Sequence, residues 1–154
     1  MTSGFEDWQV PVNVVGQLLT ELINRPKYGV PTTLFYGDTV SPHTMQNMGL
    51  ISGKGQIYGG FVSWHSTGEC KETGILLYLD GVLTANYSPL TLYNLSILRN
   101  GSFFIFLLHY DNTYKLFTIG FSFPISFETS VQVFIDTYDD QDHEVTMRLN
   151  YAVV

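Results

Sequence analysis

Carboxylates are densest in "DTYDDQDHE", where Asp136, Asp139, Asp140, Asp142 and Glu144 fall within nine positions. Carboxylate oxygens are the ligands calcium prefers, so Asp139, Asp140 and Asp142 are the candidate residues of a weak calcium site. The run lacks the glycine and downstream glutamate of an EF-hand loop and lies where a hairpin turn is expected, so a solvated turn competes with that reading. A second group, "HSTGECKE", brings His65, Glu69, Cys70 and Glu72 close together, but no further cluster completes a tetrahedral zinc set. His43, His109 and His143 are scattered, with no serine or cysteine nucleophile in a recognisable pattern beside them. The glycine-rich "GKGQIYGG" lacks the Gly-Lys-Ser/Thr ending of a phosphate loop and leads into a strand rather than a helix. Bulges or close backbone contacts account for it. The reading is a non-enzyme with no catalytic residue, no cofactor and no metal expected.

Those residues need elements to hold them. Residues 1–12 read as an irregular arm, because Pro11 lacks a backbone donor and Phe5 and Trp8 have no periodic partner. "NVVGQLLTELINRP" then has helical spacing: Asn13 is the N-cap, and Val14, Val15, Leu18, Leu19, Leu22 and Ile23 share a face. Glu21 and Arg25 pair at i, i+4, and Pro26 ends the helix. So short a helix is unstable alone in water, so this face must be covered, either by the open end of its own sandwich or by a partner. The arm ahead of it favours the partner, which makes Phe5, Trp8, Val15, Leu18, Leu19, Leu22 and Ile23 the expected anchoring residues.

From Thr32 onward the segments are rich in β-branched and aromatic residues and bounded by Gly, Pro, Asn and Asp. Asp80-Gly81 predicts a type I′ hairpin, and Asp111-Asn112 a second turn. Val145, Met147, Leu149 and Tyr151 alternate with Thr146, Arg148 and Asn150, which gives the last strand a core face and a wet face. "FFIFLL", Phe103 to Leu108, does not alternate and predicts a central strand covered on both sides. Ser88 and Pro89 can start one helical turn, and Trp64 reads as core. About eight strands at intervals of about ten residues predict a mainly β, antiparallel sandwich of jelly-roll-like type, preceded by one short amphipathic helix. The expected organisation is an arm and helix over 1–27 and a β-sandwich over 28–154, in one globular unit.

Composition narrows the function. The 154 residues carry seven Lys plus Arg against fourteen Asp plus Glu, a net charge of −7 that repels a polyanionic backbone, so nucleic acid is not an expected partner. Only 14% of residues are charged, against about 25% in typical domains, so part of the surface is expected to meet another protein. Cys70 is the single cysteine and forms no intramolecular disulfide. The chain shows no basic leader followed by an apolar run and no stretch of about 20 apolar residues, so membrane insertion is not expected and the three Asn-x-Ser sequons are read as unused. Synthesis in a reducing cytoplasm follows from that reading.

The order "GKGQIYGGFVSWHSTG", then "ILLYLDGVLTANYSPLTLYNL", then paired aromatic strands and "VQVFIDTYDDQDHEVTMRLNYAVV" covers roughly Gly53 to Val154. It resembles the small virion structural proteins of tailed bacteriophages and related viruses, of the capsid decoration, minor capsid and head-fibre type. The resemblance implies a non-enzymatic β-sandwich that forms homo-oligomers, attaches to other virion proteins at a capsid, vertex or tail, and resides in the virion. The alternative from the residues alone is a carbohydrate- or receptor-binding sandwich in which exposed Tyr and Trp rings stack on sugars.

Overall fold

The computed structural model of this chain describes residues 29–101 and 103–154. The arm with Phe5 and Trp8 and the predicted helix with Val15, Leu18, Leu19, Leu22 and Ile23 lie outside the described residues.

Among the described residues ten strands, one short α-helix and a 3-10 turn at Cys70–Glu72 follow in order: β1 (Thr32–Val40), β2 (Met45–Ser52), β3 (Gly55–Ser66), the 3-10 turn, β4 (Gly74–Leu79), β5 (Val82–Tyr87), α1 (Pro89–Asn94), β6 (Ile105–Asp111), β7 (Leu116–Phe121), β8 (Ile125–Phe127), β9 (Ser130–Asp136) and β10 (His143–Val153). One sheet has the order β1-β10-β3-β7-β6, with β8 continuing the line of β7 along β3; the other has the order β2-β9-β4-β5. Every pairing is antiparallel, and the sandwich expected from the strand pattern is the architecture observed.

The pairing describes a single long ribbon rolled into two layers. Thr32 faces Tyr151, Ser52 faces Ser130, Gly55 faces Phe127 and His65 faces Leu116, so successive strands of the first half pair with the second half in reverse order. The ribbon's tip is the β4–β5 hairpin, and this wrapping is the jelly-roll topology. At the tip Asp80 and Gly81 take φ of 54° and 80°, the two positive values a type I′ turn requires.

Side chains on the inner faces interleave into one core in which Trp64, Phe117, Phe121 and Phe127 are the bulkiest fully buried contributors. The predicted alternation of β10 holds from Val145 to Leu149, then shifts at Asn150/Tyr151, where β3 bulges at Tyr58 and Gly59. Gly60, at φ 147°, lets the two backbones touch: a Cβ there would run into the carbonyl oxygen of Arg148. That close approach is what the glycine-rich stretch is for.

Two expectations are corrected. "FFIFLL" does not form a central strand covered on both sides; it enters β6 at Ile105, and β6 is the edge of its sheet. Ile105 and Leu107 face the core, whereas Phe106 is buried from the outer face because its ring lies in the hollow over Gly120. A bulge at Leu107/His109 then leaves Leu108 exposed, so the run fails to alternate without a second covering layer. The "DDQD" loop is likewise no hairpin, since it carries the chain from β9 in one sheet to β10 in the other. The Asp111 turn spans four residues, with Asp111 Oδ1 accepting from the Thr113 and Tyr114 N–H groups and Lys115 at φ 55°.

Ser88 caps α1 by accepting from the Thr91 N–H at 3.2 Å, and Pro89 opens the helix. Beyond it, Ile97 O accepts from the Leu107 N–H at 2.8 Å, which covers part of the free edge of β6.

Candidate functional site

Three inter-sheet connections meet at one end of the sandwich: 41–44, 67–73 and 137–142. Thr137, almost fully buried, binds the first to the third: its N–H donates to Thr44 O, its hydroxyl donates to Ser41 O, and Thr44 N–H donates to its Oγ1. His143 fastens the second to the third. It has no exposed surface, and its Nδ1 lies 3.0 Å from Gln141 O. A carbonyl only accepts, so Nδ1 carries the proton and Nε2 of the neutral ring accepts from Thr73 Oγ1 at 2.9 Å. Burial pushes the His143 imidazole below its ordinary value, opposed by the Asp139 carboxylate, the Gln141 carbonyl and the Asp142 carboxylate.

The acidic run disperses around this point. Asp139 turns inward; its Oδ1 lies 3.5 Å from His143 Nε2, and both its buried oxygens lack a hydrogen bond. Asp140 points outward, with Oδ1 2.7 Å from His43 Nε2. Asp142 joins His65, Glu144, Thr39, Thr67 and Gln141 around an open polar depression of about 430 Å³. Among the described residues no group of three or more His, Cys, Asp and Glu side chains is arranged to hold a metal ion.

"HSTGECKE" separates in the same way. Glu69 is held below the ordinary carboxylate range by hydrogen bonds and charge from Lys115, at 2.9 Å, and then Lys71, at 3.4 Å. Cys70 is buried, its thiol pushed up to about 11 by burial and by Asp139, so at neutral pH it is a protonated packing group rather than a nucleophile. Trp64, 1% exposed, donates its indole N–H to Cys70 O at 3.2 Å and lies in the core as expected.

At the opposite end Asp80 does unexpected work. Its carboxylate accepts from the N–H groups of Glu128, Thr129 and Ser130 and from the Thr129 hydroxyl, which holds it down at about 2. The ribbon tip is thereby fastened to the turn through which the chain crosses from β8 to β9. Asp-Gly reveals the turn in the sequence, but nothing local reveals the second role.

The outside of the sandwich is where apolar residues remain unaccounted for. On the outer face of the β2-β9-β4-β5 sheet, one cross-strand row is Leu50, Gln132, Tyr78 and Leu83; the next is Asn47, Phe134, Leu76 and Asn86; a third is Met45, Asp136 and Gly74. Tyr78 and Phe134 meet edge to face at 5.5 Å beside Leu76, which is only 6% exposed although no strand or helix among the described residues packs over this face. Met45, Leu50 and Leu83 are 55%, 52% and 45% exposed at the margins. A second group, Leu95, Leu98, Phe103 and Phe123, is exposed where the loop after α1 packs against the link between β7 and β8. On the other sheet Phe35 is exposed, with the Arg148 guanidinium 5.8 Å from its ring centre. Local pattern does not mark most of these residues, because exposure on a strand depends on which sheet face each one takes. Among the described residues no helix is long and apolar enough to cross a membrane.

No family profile and no characterised protein matches the sequence. Among solved structures, the VP2 subviral particle of infectious bursal disease virus is similar to this chain at 14% identity and a TM-score of 0.46, over 84% of this chain and 36% of that one. The structure of the Gx strain of the same virus is similar at 12% identity and a TM-score of 0.46, over 84% of this chain and 35% of that one. The chain thus spans about a third of the length of each.

Proposed function

We propose that this chain is a structural protein of a virus particle that packs with copies of itself and with other shell proteins, attaching at a capsid, vertex or tail. The observation that carries this reading is the placement of apolar side chains. The interior is filled by the protein's own Trp64, Phe117, Phe121 and Phe127, yet Phe35, Met45, Leu50, Leu83, Leu98 and Phe123 lie exposed on both sheet faces and at a loop cluster. Exposed apolar surface grouped in this way marks contact with other macromolecules. Its spread over several sides suits a subunit with several neighbours. In this reading residues 1–27 are the anchor, through Phe5 and Trp8 and the sequence face of Val15, Leu18, Leu19, Leu22 and Ile23.

The jelly roll hosts viral shells, lectins and other activities, so fold alone does not choose among them, and the test must read assembly. Light scattering and electron microscopy of the purified chain at rising concentration are expected to show regular oligomers. Deleting residues 1–27 is expected to leave a folded body that no longer joins the particle. A strict monomer that never enters a particle would overturn the proposal.

A further inference from the structure

We infer that the outer face of the β2-β9-β4-β5 sheet is a self-association surface whose partner is the same face of a second copy. The inference rests on the shell-subunit reading and specifies one of its contacts.

Charge chooses the partner. The chain carries a net charge of −7, so two copies approach against repulsion unless their carboxylates stay out of the contact. On this face the three cross-strand rows contain a single charged residue, Asp136, at one corner, where its Oδ2 accepts from the Tyr138 hydroxyl at 2.6 Å. An acidic protein built to recognise a basic partner would present carboxylates here, and this face withholds them. A two-fold contact must also complement itself, which an uncharged apolar patch does and a patch of one sign does not. With the two-fold axis in the plane of the interface and along the strands, the row Leu50, Gln132, Tyr78, Leu83 falls on its own reverse. Leu50 of one copy then meets Leu83 of the other, and Gln132 meets Tyr78. The centre of the contact is the Tyr78, Phe134 and Leu76 cluster, whose side chains already pack against one another in the single chain.

Area sets the strength. Four strands about 4.8 Å apart and about seven residues long at about 3.3 Å each make a face of roughly 450 Å². A stable standard interface takes about 800 Å² from each partner. Contact through this face alone is therefore weak and reversible, the kind that holds when other contacts of an assembly act beside it.

The experiment is sedimentation velocity on the full chain across a concentration series, with the double substitution Leu50→Glu and Leu83→Glu and, on the other sheet, Phe35→Glu. Both leucines are half exposed on strands, so circular dichroism and the melting temperature should stay close to those of the parent chain. The parent and the Phe35→Glu chain are expected to pair as concentration rises. The double variant should pair at least tenfold more weakly, and chains carrying Leu50→Cys and Leu83→Cys, each in a background with the buried Cys70 replaced by alanine, should cross-link when mixed. Unchanged pairing of the double variant, or loss of pairing in Phe35→Glu instead, overturns the inference while leaving the shell-subunit reading in place. A double variant that self-associates normally but fails to enter particles assigns the face to a different subunit and also overturns it. A parent chain that stays monomeric and enters no particle brings down both readings.

Discussion

Burial keeps the His143 imidazole neutral, with Nδ1–H committed to the Gln141 carbonyl and Nε2 to the Thr73 hydroxyl. Because its folded pKa lies below the unfolded value of about 6.5, the unfolded chain binds the proton first as pH falls. Stability from this group is full above about 6.5 and is lost as pH drops towards the folded value. Asp80 acts in a second, lower window. Its pKa of about 2 lies below the ordinary carboxylate value, so its contribution is present above about 4 and is lost as pH falls through about 2. Urea titrations at a series of pH values should show two separate losses, and His143→Gln should abolish only the upper one. The Asp139 carboxylate offers a third check. Its oxygens are buried without a hydrogen bond, so Asp139→Asn should raise stability at pH 8 by about 1 kcal/mol, read as a higher urea midpoint.

Among the elements, β3 is the most demanding, since it pairs with β10 on one side and with β7 and β8 on the other. At Gly60 the φ of 147° and the neighbouring Arg148 carbonyl both exclude a Cβ, so Gly60→Ala should cost at least about 2 kcal/mol in thermal or chemical unfolding. Gly81→Ala meets open space at the ribbon tip and carries only the cost of its positive φ, so it should be milder. The elements were also where local pattern worked best. The alternation of Val145, Met147 and Leu149, the Asp80-Gly81 turn and the Ser88-Pro89 start all depend on neighbours a few residues away. The run in β6 misled because Phe106 is covered by the absence of a side chain at Gly120, a residue on another strand.

For the whole molecule the decisive information is long-range. Thr32 pairs with Tyr151, and no local signal states which sheet receives β9 or β10. For the same reason the acidic run was legible as a cluster but not as three carboxylates facing three ways, and the apolar outer face was not legible at all. Along "GILLYL" only the register shows Ile75 and Leu77 in the core and Leu76 on the outside. A net charge of −7 gives association a measurable sign: raising salt from about 0.05 to about 0.5 M should strengthen pairing of the full chain, by screening repulsion while leaving the apolar contact intact. Weaker pairing in high salt would mean that ion pairs hold the contact.

The tip of the rolled ribbon also has a kinetic meaning. In a topology where most strand partners lie far apart along the chain, the hairpin at Asp80-Gly81 is the pairing that closes the smallest loop. The Asp80 carboxylate then captures residues 128–130 and so brings the second half of the chain into register with the first. If this clasp forms before the outer strands close, Asp80→Ala should slow refolding more than it speeds unfolding, a distinction a chevron plot reads directly. A loss confined to the unfolding limb would place the clasp among the last contacts made.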